Sequence, residues 1–87
     1  MKPKFRKGEY VRIKNENVKC YQTAHDVYGE MYYKSIWNMS EIIDKELLII
    51  GIENIEIDSE YNSKVYCCTT PTGKVIYVHI DGVEFLY

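Results

Sequence analysis

The sequence predicts an all-β fold: a small barrel of five short strands, with one long loop after the first strand and one short helical turn. Two observations predict it. Apolar and polar side chains alternate in several short segments that end at turns containing glycine or proline. Nine tyrosines stand against two phenylalanines, and tyrosine suits half-exposed strands better than a dry helical core. A closed or nearly closed barrel removes the exposed edges of such strands.

The chain length predicts one domain that spans residues 1–87. A chain of 87 residues hides only about 60 to 65% of its unfolded surface, so dividing it would leave neither half with a sufficient core. A small core with many surface tyrosines is often completed by a second copy. We therefore also expect a tendency to form homo-oligomers.

The first strand is predicted at residues 8–14, which read GEYVRIK. Val11 and Ile13 fall on one face, and Tyr10 and Arg12 on the other, which indicates a half-buried strand. Residues 15–35 follow neither the strand nor the helix period, and Gly29 lies in their middle. This segment predicts the long loop, whose path resembles an irregular hairpin.

Residues 38–57 predict a helical turn and then the central strand. Asn38 or Ser40 can cap the turn, with Ile42 facing inward. The isoleucine-rich run that follows, interrupted by Gly51, indicates a strand buried on both faces that bends at the glycine. In the rival interpretation residues 37–52 form one longer helix in an α+β domain.

The remaining strands are separated by turn signals. Residues 58–64 predict a polar turn. Two strands are predicted at 64–70 and 74–81, on either side of Pro71-Thr72-Gly73, where proline presets φ and glycine accepts a positive φ. Asp81-Gly82 then predicts a turn into a closing strand at residues 83–87.

Trp37 has two interpretations. Its place just before the helical turn and near Met39 favours a side chain that plugs an open barrel end. In the other interpretation its indole is exposed and joins Tyr28, Tyr32 and Tyr33 in one contact patch. The sequence favours the plug.

Several segments together resemble a known family. The pattern F-x-x-G-x-Y-V-R-I-K at residues 5–14, W-x-M at 37–39 and the terminal DGVEFLY look like small Src-homology-3-like barrels, including short ones carried by phages and mobile elements. The chain departs from true Src-homology-3 modules, because it lacks the Ala-Leu-Tyr-Asp-Tyr loop, the paired tryptophans and Pro-Ser-x-Tyr. The resemblance therefore implies a phage or mobile-element inhibitor of a host factor, and it does not imply binding of proline-rich peptides.

The predicted function is non-enzymatic binding of a protein partner. Tyrosine gives a large contact area at low entropy cost, so the tyrosine-rich segment 21–35 is the first candidate surface. Residues 21–63 carry two lysines against nine acidic residues, and the acidic row after the central strand can face a basic partner. The predicted protein-binding residues are Tyr21, His25, Tyr28, Tyr32, Tyr33, Trp37, Glu56, Asp58 and Glu60.

The alternative function is nucleic-acid binding. Residues 1–20 hold seven basic side chains against two acidic ones, and Phe5 and Tyr10 interleave with them as in a stacking platform. The candidate residues are Lys4, Arg6, Lys7, Tyr10 and Arg12. The formal net charge of −2 makes nucleic acid the weaker partner class.

No catalytic, cofactor or metal site is predicted. Cys20, His25, Cys67, Cys68 and His79 show no zinc spacing, and neighbouring cysteines on a strand point to opposite faces. A nucleophile pair of Cys67 or Cys68 with His79 is conceivable across a hairpin, but small buried cysteines are the commoner case. An odd number of cysteines fits a reducing compartment. Without a membrane span or a signal peptide, we expect a cytoplasmic protein.

Overall fold

Seven antiparallel strands form one continuous sheet in the computed structural model, which describes residues 3–58 and 61–86. The strands are β1 (Tyr10–Ile13), β2 (Cys20–His25), β3 (Met31–Ser35), β4 (Leu47–Asp58), β5 (Tyr61–Thr69), β6 (Val75–His79) and β7 (Val83–Phe85). Their order across the sheet is β3-β2-β6-β5-β4-β1-β7. Two 3-10 turns occupy Met39–Glu41 and Ile80–Gly82. The all-β prediction is confirmed.

The prediction of a five-stranded barrel is wrong. The segment predicted as a long first loop contains two further strands, β2 and β3, which pair from Tyr21 opposite Ser35 to His25 opposite Met31. The described sheet does not close, because β3 and β7 lie at its two ends. The sequence indicated only an irregular hairpin within this loop, because the two strands pack through tyrosines, which are too amphipathic to produce a clear apolar alternation.

Three of the other predicted elements agree with the structure. Val11 and Ile13 point inward from β1, and Asn38 caps the first 3-10 turn by accepting a hydrogen bond from the Ser40 N–H. At the turn after β5, Gly73 has a φ of +86° and its N–H donates to the Thr70 carbonyl.

The predicted polar turn at residues 58–64 is wrong in its extent, because β4 ends at Asp58 and β5 already begins at Tyr61. Asn62 and Lys64 are polar because they face outward from β5, on either side of the buried Ser63. Residues 59–60 lie outside the described residues.

The main core fills one face of the sheet, which we call the first face. Its strand residues include Val11, Leu47, Ile49 and Val78, all at 0% exposure. The N-terminal segment and the two 3-10 turns cover it with Phe5, Met39, Ile42 and Ile80. These apolar side chains lie outside the regular strands. They shield the first face from water, because a single sheet cannot bury its own apolar face and needs a second layer against it.

Phe5 ties the N-terminal segment to the centre of the sheet. Its backbone N–H donates to the Tyr66 hydroxyl at 2.9 Å, and its ring packs edge-on against Tyr66 and Phe85 with centroids 6.0 and 4.8 Å apart. Both Phe5 and Tyr66 are buried, so water cannot replace this hydrogen bond.

We expect Tyr66→Phe to lower the free energy of unfolding by about 1–2 kcal/mol, because it leaves the buried Phe5 N–H without an acceptor. Urea denaturation measures the change. The matched control is Tyr10→Phe, because the Tyr10 side chain is 48% exposed, and it should change stability by less than about 0.5 kcal/mol. Equal effects of the two substitutions would show that the hydrogen bond contributes nothing.

Strand β4 buries side chains on one face of the sheet in its first half and on the other face in its second half. A register shift between Ile49 and Gly51 marks a bulge at the glycine where a bend is predicted. Before the bulge Leu47 and Ile49 enter the main core, whereas beyond it Ile55 is buried on the second face of the sheet. Ile50 and Ile52 are 37% and 42% exposed. The predictions of a strand buried on both faces and of one longer helix are both wrong.

Candidate functional site

The β2–β3 hairpin ends in a turn that Asp26 organises. The Asp26 carboxylate accepts hydrogen bonds from the N–H groups of Tyr28 and Glu30 at 2.8 and 3.0 Å. Its backbone exchanges further bonds with Gly29 and Glu30, and Gly29 has a φ of +83°, which favours glycine. The turn therefore has a defined conformation. Such a turn is typical where an aspartate side chain accepts hydrogen bonds from the backbone that follows it.

Large apolar side chains are exposed at this tip. Val27 and Tyr28 are 91% and 87% exposed, and Met31 and Tyr32 at the start of β3 are 55% and 46% exposed. We call these four residues the hairpin tip. Tyr28 and Tyr32 are predicted contact residues, whereas the sequence reasoning missed Val27 and Met31. Only the pairing of the hairpin reveals that they accompany the tyrosines.

Two of the predicted contact tyrosines instead pack within the fold. Tyr21 is 3% exposed and forms a second, smaller cluster with Ile55 and Val65. Tyr33 and Tyr77 are partly buried against this cluster and meet edge-on with ring centroids 5.2 Å apart. This cluster holds the β2–β3 hairpin against β4 and β5, so Tyr21 and Tyr33 position the tip.

Acidic and hydroxyl groups surround the thiol of Cys67 beside that cluster. Burial, and secondly the nearby Glu53 carboxylate, raise the pKa of Cys67. Burial, followed by the Cys67 thiol and Glu53, raises the pKa of Tyr77 to about 12. Burial, with Glu53 next, also raises the pKa of Tyr33. A raised pKa keeps the Cys67 thiol protonated, which is the opposite of an activated nucleophile.

Trp37 is 88% exposed, so its interpretation as a plug is wrong. Met39, at 8% exposure, occupies the core position next to it. Trp37 follows the end of β3, whereas Tyr28 precedes its beginning, and five extended residues span about 17 Å. Trp37 and the hairpin tip therefore lie at opposite ends of β3, not in one patch.

The remaining predicted contact residues are dispersed. His25 is exposed at the end of β2, opposite Met31. Along β4, the nearby Glu53 is paired with Val65 and the predicted Glu56 with Asn62. The two glutamate side chains therefore point to opposite faces of the sheet. Glu56 is exposed. The Asp58 side chain and all of Glu60 lie outside the described residues, so the acidic row stays a prediction.

The basic residues proposed for nucleic acid are exposed but only partly free. Lys4, Arg6 and Lys7 are exposed, and the Lys4 ammonium lies 5.7 Å from the Phe85 ring centroid. Arg12 forms an ion pair with Glu84 at 2.9 Å. Phe5 is 3% exposed, so its predicted part in a stacking platform is wrong, whereas Tyr10 is 48% exposed.

The cysteines and histidines are dispersed as well. Cys20 and Cys68 are buried in the main core and Cys67 lies on the second face, and all three are free thiols. His79 pairs with Val65 rather than with either cysteine, and its Nδ1 accepts the Asp81 N–H at 3.3 Å. Within residues 3–58 and 61–86, no three His, Cys, Asp or Glu side chains come together as metal ligands would.

Comparison of the chain with protein-family models, with curated proteins and with solved structures finds no match. Neither helical turn in the described residues is long and apolar enough to cross a membrane.

Proposed function

We propose that this chain is a non-enzymatic binding protein that contacts a protein partner through the hairpin tip. The exposure of Val27 and Tyr28, at 91% and 87%, on a turn organised by Asp26 carries the proposal. Apolar and aromatic side chains that lose their water on binding supply much of the energy of protein interfaces. A turn already held in one conformation also pays less entropy on binding.

The small second cluster supports this function by fixing the hairpin. Tyr21 and Tyr33 pack against Ile55 and Val65, so the base of the hairpin is anchored while its tip is exposed. Residues of this kind bind best when a rigid element presents them. The fold therefore presents the hairpin tip to an apolar depression on a partner.

The biological setting that we propose is inhibition of a host factor by a phage or mobile-element protein in a reducing cytoplasm. Three free cysteines support the reducing compartment. The likeness to Src-homology-3-like proteins is part of the same proposal, supported by the segments at residues 5–14 and 81–87. Self-association through the hairpin tip is the second way in which its apolar side chains can be covered.

We expect the tagged double variant Val27→Ser/Tyr28→Ser to capture at least about tenfold less partner than the tagged wild-type protein. Hot-spot side chains contribute about 2 kcal/mol or more to binding, which accounts for a loss of this size. Capture from native-host lysate, with and without nuclease, and quantitative mass spectrometry measure it. The matched control is Ile50→Ser/Val75→Ser, which removes two apolar side chains from positions that are 37% and 41% exposed and belong to neither proposed surface.

Three outcomes separate the alternatives. Partner capture that survives nuclease, disappears with the hairpin-tip variant and persists with the control supports the proposal. Capture lost on nuclease treatment would favour the nucleic-acid alternative and its residues Lys4, Arg6 and Lys7. Equal capture by the two double variants would contradict a role of the hairpin tip. Sedimentation of the purified protein shows whether a second copy is the partner.

A further inference from the structure

A groove lies next to the exposed Trp37, away from the hairpin tip. It has a volume of about 510 Å³ and lies between the β1–β2 turn and the first 3-10 turn. We call it the Trp37 groove. Its lining residues are Glu16, Asn17, Trp37, Asn38, Met39, Ser40 and Ile43. It thus combines one large aromatic ring, one carboxylate, two carboxamides and an apolar base.

Both walls of the groove are held by local hydrogen bonds. Asn15 accepts the Asn17 N–H at 2.9 Å on one side. On the other side, Asn38 accepts the Ser40 N–H at 3.1 Å and the Ser40 hydroxyl at 2.6 Å. Met39 is buried beneath them. The groove is therefore formed before any ligand arrives, which lowers the entropy cost of binding.

The charged and aromatic groups of the groove have few partners of their own. Within the described residues, the Glu16 carboxylate makes no ion pair, whereas Glu41 and Glu84 pair with Lys74 and Arg12. Trp37 is 88% exposed, although moving an indole ring out of water is energetically favourable. A ligand that stacks on the ring and neutralises the carboxylate satisfies both groups.

We propose that the Trp37 groove binds an arginine side chain of a partner protein. A guanidinium stacks flat on an indole, which is the best cation–π acceptor among side chains, and donates two hydrogen bonds to one carboxylate. Glu16 supplies that carboxylate and the Asn17 carboxamide oxygen a further acceptor. The local charge also fits, since the lining of the groove includes the Glu16 carboxylate and no lysine or arginine.

This site is separate from the hairpin tip and can be tested independently. Trp37 is the only tryptophan, so its indole N–H gives one side-chain signal in a nitrogen–proton correlation spectrum of the whole protein. The probe is an acetylated, amidated Gly-Arg-Gly-Gly peptide. The matched control peptide contains citrulline, which keeps the shape of arginine and lacks its charge.

We expect the arginine peptide to shift the indole signal with a dissociation constant on the order of millimolar, and the citrulline peptide to bind at least about fivefold more weakly. Glu16→Gln keeps the side-chain shape and should weaken arginine binding by about threefold. Trp37→Leu, followed through the Ser40 backbone amide, should weaken it by about fivefold or more. The backbone spectra confirm that both variants are folded.

The Val27→Ser/Tyr28→Ser variant should bind the arginine peptide as the wild type does. Thus a failure of the hairpin-tip proposal leaves this result unchanged, and the reverse also holds. Equal binding of the arginine and citrulline peptides, or no effect of Glu16→Gln, would overturn the inference. So would a shift of the indole signal by maltotriose with none by the arginine peptide, because it would assign the groove to a saccharide.

Discussion

Raising the pH from 7 to 10 is expected to lower the free energy of unfolding by about 3 kcal/mol through the two core thiols alone. Cys20 and Cys68 are 1% and 0% exposed in the main core. Burial raises the pKa of Cys20 from 9.0 to about 12, and burial with the neighbouring thiols raises that of Cys68 to about 12.

The sign follows from the protons that each state binds. Between pH 9 and 12 most folded molecules keep both thiols protonated, whereas most unfolded chains have released these protons. Because the unfolded state then binds fewer protons, its free energy falls relative to the folded state as pH rises. Well below pH 9 the stabilising contribution of the two thiols is fully present, and it is lost progressively toward pH 12. The loss of unfolding free energy is about 1.4 kcal/mol for each thiol at pH 10.

Urea denaturation at pH 7, 9 and 10 in the presence of a reducing agent measures this loss. Lysines and tyrosines also titrate at alkaline pH, so the control is the double variant Cys20→Ala/Cys68→Ala. It starts from a lower stability, but its decline from pH 7 to 10 should be smaller by about 3 kcal/mol. Parallel declines of the two proteins would show that the core thiols ionise as readily in the folded state as in the unfolded chain.

Gly82→Ala is expected to lower the free energy of unfolding by about 1–3 kcal/mol, as overpacking of a buried site does. A Cβ at position 82 would overlap the Cγ1 atom of Val18 and lie 3.2 and 3.3 Å from its Cγ2 and Cβ atoms. Val18 is β-branched, so its methyl groups have little freedom to rotate away. The second 3-10 turn and the β1–β2 turn would have to separate.

Two further variants assign this loss to the overlap. Val18→Ala removes the methyl groups, so combining it with Gly82→Ala should give a variant about 1 kcal/mol or more stable than the two separate effects predict. Gly51→Ala is the matched control, because its new Cβ would meet nothing within 4 Å and φ is not positive at either glycine. We expect it to change stability by less than about 0.5 kcal/mol. Additive effects of Gly82→Ala and Val18→Ala would contradict a direct overlap.

The short strands with clear turns were predictable from the sequence, and the regular strand pairing of the β2–β3 hairpin was not. Val11 and Ile13 alternate with charged neighbours, and proline and glycine mark the turn after β5, so local chemistry alone locates these elements. The β2–β3 hairpin is stabilised by distant partners, since Tyr21 packs against Ile55 and Val65. No local period reports a contact of that kind.

The candidate surfaces show the same division. Of the tyrosine-rich segment that the sequence predicts as a contact surface, Tyr28 and Tyr32 are exposed, and their role in contact stays a prediction. Whether a tyrosine of this segment is exposed, or packed as Tyr21 and Tyr33 are, depends on how far its position lies from the small second cluster. The Trp37 groove was hidden for a related reason, because Glu16 and Trp37 are distant in sequence and meet only through the β1–β2 turn.

By itself, the sequence predicted an all-β fold and located β1, β4, β6 and β7, since alternation and turn residues act over a few neighbours. Only the tertiary structure decided that seven strands form an open sheet, that Phe5 is buried and that Trp37 is exposed. The physical reason is that an aromatic side chain is stable either in a core or on a partly wet surface. Its environment therefore depends on which distant segments cover it.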